Sequence, residues 1–251
     1  YLPEYRWLRE KHSLRDLFFT PSLAAEVTMM PIRRFGFDAA ILFSDITAIA
    51  PAMGYSLDFC EGPVIQPLAK ATHWETLRED LSLLDPIAEA AALAKQQLEV
   101  PLIGFCGGPF TIATYLIEQH DGVGLPQTYS WMQNDPIGFA KFLDRICDVC
   151  IHSLNLQIQA GADAVQIFDS WANALDEAQF ATFSLPFLRK IARSVKCPTI
   201  LFMRGSALPA EQLAEIENAA ISLDMGRKVS EVRQFVSAPL QGNLDPDLLF
   251  R

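Results

Sequence analysis

The sequence predicts an α/β fold of the (β/α)8 TIM-barrel kind, incomplete within this chain, and three observations carry the prediction. Short apolar runs of strand length alternate with longer segments of helical spacing. Each run is mostly apolar and short enough for a strand of a parallel sheet buried on both faces. Polar and charged residues recur just past the runs, at the strand ends where a barrel builds its site.

Taken in order, the runs are 39–43 (AAILF), 101–105 (PLIGF), 164–168 (AVQIF), 199–202 (TILF), 220–223 (AISL) and 236–240 (VSAPL). Ser44 and Asp45 follow the first, Asp169 and Ser170 the third, Arg204 the fourth, Asp224 the fifth, and Gln241, Asn243 and Asp245 the sixth. Between them, 87–98 (IAEAAALAKQQL) is alanine-rich with a polar stripe, and Phe142, Ile146, Val149, Leu154 and Ile158 recur at helical spacing until Gly161 ends the pattern. A doubly wound nucleotide-binding sheet is disfavoured, because 104–108 (GFCGG) fits neither GxGxxG nor GxxxxGK[ST]. The stretch 55–68 (YSLDFCEGPVIQPL) alternates around Glu61-Gly62-Pro63 and predicts a hairpin at the barrel mouth. With no repeat, linker or low-complexity tract, residues 1–251 form one domain.

Composition narrows the function. The net charge of −10 and the lack of a Lys/Arg block argue against nucleic acid and anionic membrane as partners. No charge-free apolar run reaches membrane-spanning length, and no export signal opens the chain. Five scattered cysteines, an odd number, fit reduced thiols and a cytoplasmic protein.

Cys147-x-x-Cys150-x-His152 has zinc-like spacing, but it lies within an apolar helical pattern with no second pair, so buried thiols are expected and no metal. His12, His73 and His120 stand in polar contexts, and no GxSxG elbow supports a nucleophilic serine. Asp45, at the tip of a core strand, either caps the next helix or faces a ligand. Ser170 or Asp169 is a candidate helix cap, Tyr115 a half-buried core aromatic, and Arg6, Arg9, Arg33 and Arg34 candidate ion-pair partners.

Five ordered segments resemble the uroporphyrinogen decarboxylase family: YLPEYRWLRE, PIRRFGFDAAILFSDI, PLIGFCGGPFTIATYLIE, GADAVQIFDSWA and LQGNLDP. The resemblance implies a (β/α)8 barrel, a homodimer, and an enzyme without metal or organic cofactor. The implied reaction turns the four acetate side chains of uroporphyrinogen III into methyl groups, giving coproporphyrinogen III. It further implies that Asp45 stabilises a protonated pyrrole and accepts pyrrole N–H bonds. Tyr115 and Ser170 would bind substrate carboxylates, Arg9 would lie near the substrate, and Phe43 and Phe168 would flank the macrocycle.

The chain departs from the family pattern in several places. It begins just after an RQAGR motif, lacks a closing N-L-G-H-G segment, and has Met225 and Trp171 where Trp and His are usual. It is therefore expected to be truncated at both ends relative to the family, with exposed strand edges. Two other readings compete: a cobalamin- or coenzyme M-dependent methyltransferase of the same superfamily, and a non-catalytic tetrapyrrole-binding barrel.

Overall fold

The computed structural model describes residues 2–250 apart from 61, 67–70, 120–123, 206–209 and 215, with 71–73 and 210 as backbone only. Helices α1 (Pro3–Arg9), α2 (Leu14–Phe19) and α3 (Pro21–Phe35) lead into strand β1 (Ala40–Ile41). Strands β2 (Leu57–Phe59) and β3 (Pro63–Ile65) form an antiparallel hairpin, the one expected over 55–68. It packs on α2, where Phe18 and Phe59 meet at 4.9 Å and Arg15 Nη1 donates to the Leu57 carbonyl.

The regular alternation then begins: α4 (Asp85–Lys95), β4 (Leu102–Gly107), α5 (Pro109–Glu118), α6 (Pro126–Asn134), α7 (Pro136–Gln159) and β5 (Ala164–Asp169). It continues through α8 (Glu177–Phe183), α9 (Leu185–Ser194), β6 (Thr199–Met203), α10 (Ala210–Ala214), β7 (Ala219–Ser222), α11 (Val229–Val232) and β8 (Leu240–Gln241).

Six strands form one parallel sheet in the order β1-β4-β5-β6-β7-β8. Each strand lies beside the next sheet strand in the chain, with no reversal of order. That is barrel connectivity rather than the switch point of a doubly wound sheet. All six predicted strands are present, and the architecture is an incomplete α/β barrel.

Register divides the strand residues between two faces. Ile103, Phe105, Gln166, Phe168, Ile200 and Phe202 share the inner face, and Leu102, Cys106, Val165, Ile167, Leu201 and Met203 face the helices. The helix-facing set is buried, as is the row from Phe139 through Leu154 on α7 that packs around it. Each large apolar side chain so buried favours folding by about 1.5–3 kcal/mol.

The two end strands are shorter than their apolar runs. β8 pairs only at Leu240 and Gln241, because Val236 closes a helical turn on the Val232 carbonyl and Arg233 Nη1 takes the Val236 and Ala238 carbonyls out of the ladder. β1 pairs at Ala40 and Ile41, and the next ladder bond runs from Leu42 N to Ile103 O. Beyond that point the chain turns away, which leaves Phe105 without a backbone partner on that side.

Gln157 of α7 replaces the missing strand. Its Oε1 accepts from Phe105 N at 2.9 Å and its Nε2 donates to Phe105 O at 3.1 Å, with Ser153 Oγ at 3.3 Å from the same nitrogen. Gly104 makes room for it, since a Cβ there would lie 2.5 Å from Oε1. Gln157→Met, similar in shape but apolar, leaves a buried donor and acceptor unpaired and is expected to cost about 2–4 kcal/mol. Denaturant unfolding checks this; a loss below about 0.5 kcal/mol would mean that Phe105 finds other partners.

Candidate functional site

The candidate site gathers at the C-terminal ends of the strands. Past β1 the backbone stays extended to Asp45 (φ −124, ψ 146), which N-caps a 3-10 turn over Ile46–Ile49. Asp45 Oδ1 accepts from Thr47 N at 2.8 Å and from Thr47 Oγ1 at 2.5 Å. Capping is thus real and uses one oxygen, while Oδ2 takes no hydrogen bond among the described residues. Gly107 lets the turn approach the end of β4, as a Cβ there would lie 3.2 Å from Ile46 Cβ.

Tyr115 meets the loop that carries Ser170 through the neighbouring Trp171. Trp171 N donates to Thr111 Oγ1 at 3.0 Å, and one helical turn further along α5 the Tyr115 ring meets Trp171 edge-on at 6.4 Å. Thr111 and Tyr115 share a helix face and hold the 170–171 loop between them. Ser170 is half-buried on that loop, with no hydrogen bond among the described residues.

Phe43 and Phe168 line one cleft of about 430 Å³ with Ile41, Ser44 and Phe105. Phe43 stacks on Phe18 at 4.9 Å and meets Tyr5 edge-on at 5.9 Å. Phe168 lies between Phe105 at 5.6 Å and Phe202 at 6.1 Å, making an aromatic row along the inner face. Both residues therefore have core contacts and a cleft-facing surface.

Arg9 stands apart. It shares a face of α1 with Tyr5, but its Nη1 donates to the His12 carbonyl at 2.8 Å, closing the helix end. Arg33 and Arg34 pair with Glu26 and Glu4 on exposed surface, where such pairs contribute little. Cys147 and Cys150 are wholly buried and burial pushes their thiols well up, whereas His152 is exposed, so the three do not converge. His120 and the side chain of His73 lie outside the described residues.

The expected helix cap at Asp169 or Ser170 is a correction: Asp176 caps α8 in a capping box with Gln179. Asp169 instead turns into the core, where Thr111 Oγ1 donates to Oδ1 at 2.5 Å and Ser184 Oγ donates to Oδ2. Gly108 is what admits this carboxyl, as a Cβ there would lie 2.8 Å from it. Thr111, Ser184 and Gly108 escaped the sequence reading. The Gly107-Gly108 pair was their one signal, a mark of close approach at a strand end.

Further round the rim, Asp224 accepts from Gly205 N at 2.7 Å and Met225 N at 2.8 Å, and Asn243 Nδ2 donates to the Asp224 carbonyl at 2.8 Å. The ends of β6, β7 and β8 are thereby fastened together.

Burial pushes the Asp169 carboxyl above the ordinary aspartate range, against the hydroxyl bonds from Ser184 and Thr111 that pull it down. With the folded pKa raised, the native state holds its proton to higher pH than the unfolded chain. Stability from this group is therefore fullest below the unfolded value of about 3.9 and falls as pH rises through the folded pKa. Asp169→Asn, which lacks the titration, is expected to show a flatter stability profile upward from about pH 4. Unfolding midpoints measured across that range decide it, and a profile parallel to the parent's assigns the slope to other groups.

Comparison with known proteins adds the family. The sequence profile described as uroporphyrinogen decarboxylase matches residues 1–251. The uroporphyrinogen decarboxylase of Protochlamydia amoebophila is 45% identical over 259 residues, which span 100% of this chain and 71% of that protein. That of Ruthia magnifica is 39% identical over 267 residues, 100% of this chain and 77% of that protein. Among solved structures, a methyltransferase from Methanosarcina mazei superposes with a TM-score of 0.77 at 20% identity, covering 92% of this chain and 72% of its own. At that identity the likeness shows the barrel fold alone. The chain belongs to the uroporphyrinogen decarboxylase family.

Proposed function

We propose that the site decarboxylates uroporphyrinogen, converting its four acetate side chains to methyl groups in tetrapyrrole biosynthesis. Family membership over all 251 residues supports this reading. The structural observation that carries it is Asp45, with one oxygen held by Thr47 at a strand end and the other open. Loss of carbon dioxide from an acetate leaves an electron pair that needs an acceptor. Protonation of the adjoining pyrrole supplies one, as a cation beside the breaking carbon–carbon bond. The electrons flow into that cation as carbon dioxide leaves, and the methylene carbon then takes a proton to become methyl while the ring gives back the proton it gained, so that each acetate exchanges one carbon dioxide for one proton.

A carboxylate already fixed in place stabilises the cation without reorganising, and its open oxygen accepts pyrrole N–H bonds. Ser170 and Tyr115 would orient a substrate carboxylate, and the aromatic surfaces of Phe43 and Phe168 would lie against the macrocycle. Arg9 would serve the substrate by releasing the His12 carbonyl. No organic or metal cofactor enters this scheme.

The small-molecule substrate follows from the family, while a homodimer rests on the family likeness. Net charge −10 supports the absence of nucleic acid among its partners. No helix among the described residues is long and apolar enough to cross a membrane. The five cysteines are unpaired, which supports a reducing, cytoplasmic setting.

Anaerobic incubation with freshly reduced uroporphyrinogen tests the activity. Porphyrins separated by carboxylate number should form a ladder losing one carboxylate at a time; unchanged substrate from folded protein would refute the reading. Asp45→Asn retains a capping side chain. It is expected to lower kcat by about 10²–10³-fold while binding changes far less. Equal losses in both would favour a tetrapyrrole-binding protein without catalysis.

A further inference from the structure

We infer that Arg204 is a substrate-binding residue of this site, its guanidinium taking a peripheral carboxylate of the tetrapyrrole. The inference deepens the proposed function and rests on it. Strand register places Ile200 and Phe202 on the inner face, and carrying the alternation one step past β6 puts Arg204 on that face too. Phe202 meets Phe168, which lines the cleft with Phe43, so the arginine stands at the rim end of the aromatic row.

The backbone at this corner is fixed from three sides. Arg204 N donates to the Asp169 carbonyl at 3.3 Å, and Gly205 N donates to Asp224 Oδ2 at 2.7 Å. Gly205 takes the left-handed φ of +59, and a Cβ there would lie 2.8 Å from Asn173 Cβ. Only glycine fits both the turn and that approach. The corner therefore seats next to the loop that bears Ser170 and Trp171.

The side chain itself is exposed and engages no hydrogen-bond or ion-pair partner among the described residues. Many of the other arginines are engaged: Arg9, Arg15 and Arg233 bind carbonyls, and Arg33, Arg34, Arg145 and Arg193 pair with glutamates, while Arg6, exposed on α1 and likewise without a partner among the described residues, is not at a strand end. A cation set on a braced rim corner, above an aromatic cleft and within a family acting on a polycarboxylate, has the chemistry to bind a carboxylate through its planar fork.

Uroporphyrin, the oxidised macrocycle with all eight carboxylates, does not turn over and serves as the probe, with binding followed by quenching of tryptophan fluorescence. Arg204→Gln is expected to raise its Kd about tenfold, with melting temperature unchanged. Arg204→Lys should recover part of the loss, and Arg193→Gln, which removes an exposed charge paired with Glu217, should bind like the parent. Repeating the titration with coproporphyrin identifies the carboxylate. A penalty that disappears assigns an acetate, and one that persists assigns a propionate.

Parent-like binding by Arg204→Gln, or an equal loss in Arg193→Gln, overturns the inference. Should the parent decarboxylate uroporphyrinogen while Arg204→Gln binds as tightly, only this inference falls. A folded parent that neither binds the macrocycle nor decarboxylates it removes the proposed function, and the inference with it.

Discussion

The rim of this barrel depends on one buried carboxyl. Asp169 lies at the end of β5 and receives hydroxyl donors from Thr111 on α5 and from Ser184 at the junction of α8 and α9. Three separate segments thus meet on a side chain of 0% exposure. Thr111 passes the constraint outward, because the hydroxyl that donates to Asp169 also accepts the Trp171 N–H. The loop bearing Ser170 is held by a bond whose other end is in the core. A buried carboxyl left unpaired would be costly, so this arrangement survives only when all its partners are present.

The same economy recurs around the sheet. Asp45, Asp169 and Asp224 all stand at strand ends, and each spends at least one oxygen on a nearby donor: Thr47, then Thr111 and Ser184, then the Gly205 and Met225 amides. Parallel strands end with unpaired backbone groups and abrupt turns, and short acidic side chains satisfy the amides that result. Acids at strand ends are therefore expected from the fold itself. What separates Asp45 is its remaining oxygen, which has no partner among the described residues, in a half-buried position beside a cleft.

Six strands were legible because apolar runs buried on both faces leave a strong signature in sequence. Their lengths were less so. β8 is cut short by bonds from Arg233 and β1 by the turn at Asp45, with Gln157 taking the place β1 leaves beside Phe105, and nothing in the runs themselves announces these. Asp169 and Ser170 were read together as polar residues past a strand, although strand alternation sends neighbours to opposite faces. Applied from Phe168 onward, it sends Asp169 to the helices and Ser170 to the inner face. The Asp169 partners lie 58 residues before it and 15 after it, and such separations leave no local trace. Arg9 stands apart for another reason: motif likeness locates a residue in the chain, while the direction of its long flexible side chain is set here by the His12 carbonyl.

An acidic protein that takes an octa-acid poses an electrostatic difficulty, and the geometry of a cyclic tetrapyrrole resolves it. The macrocycle carries N–H donors at its centre and carboxylates at its edge, so a matching site needs negative charge inside and positive charge at the margin. At physiological salt, charges more than about 8 Å apart on exposed surface are largely screened. The net charge of −10 therefore matters less than the few groups that touch the ligand. In the proposed site Asp45 would supply the inner charge from the end of β1, and Arg204 at the end of β6, three strands away along the sheet, would supply an outer one. The spacing of the two is set by the sheet, whose strands lie about 4.8 Å apart. Rigid separation of opposite charges by the backbone would keep the aspartate from pairing with the arginine and leave its second oxygen open for the proposed chemistry.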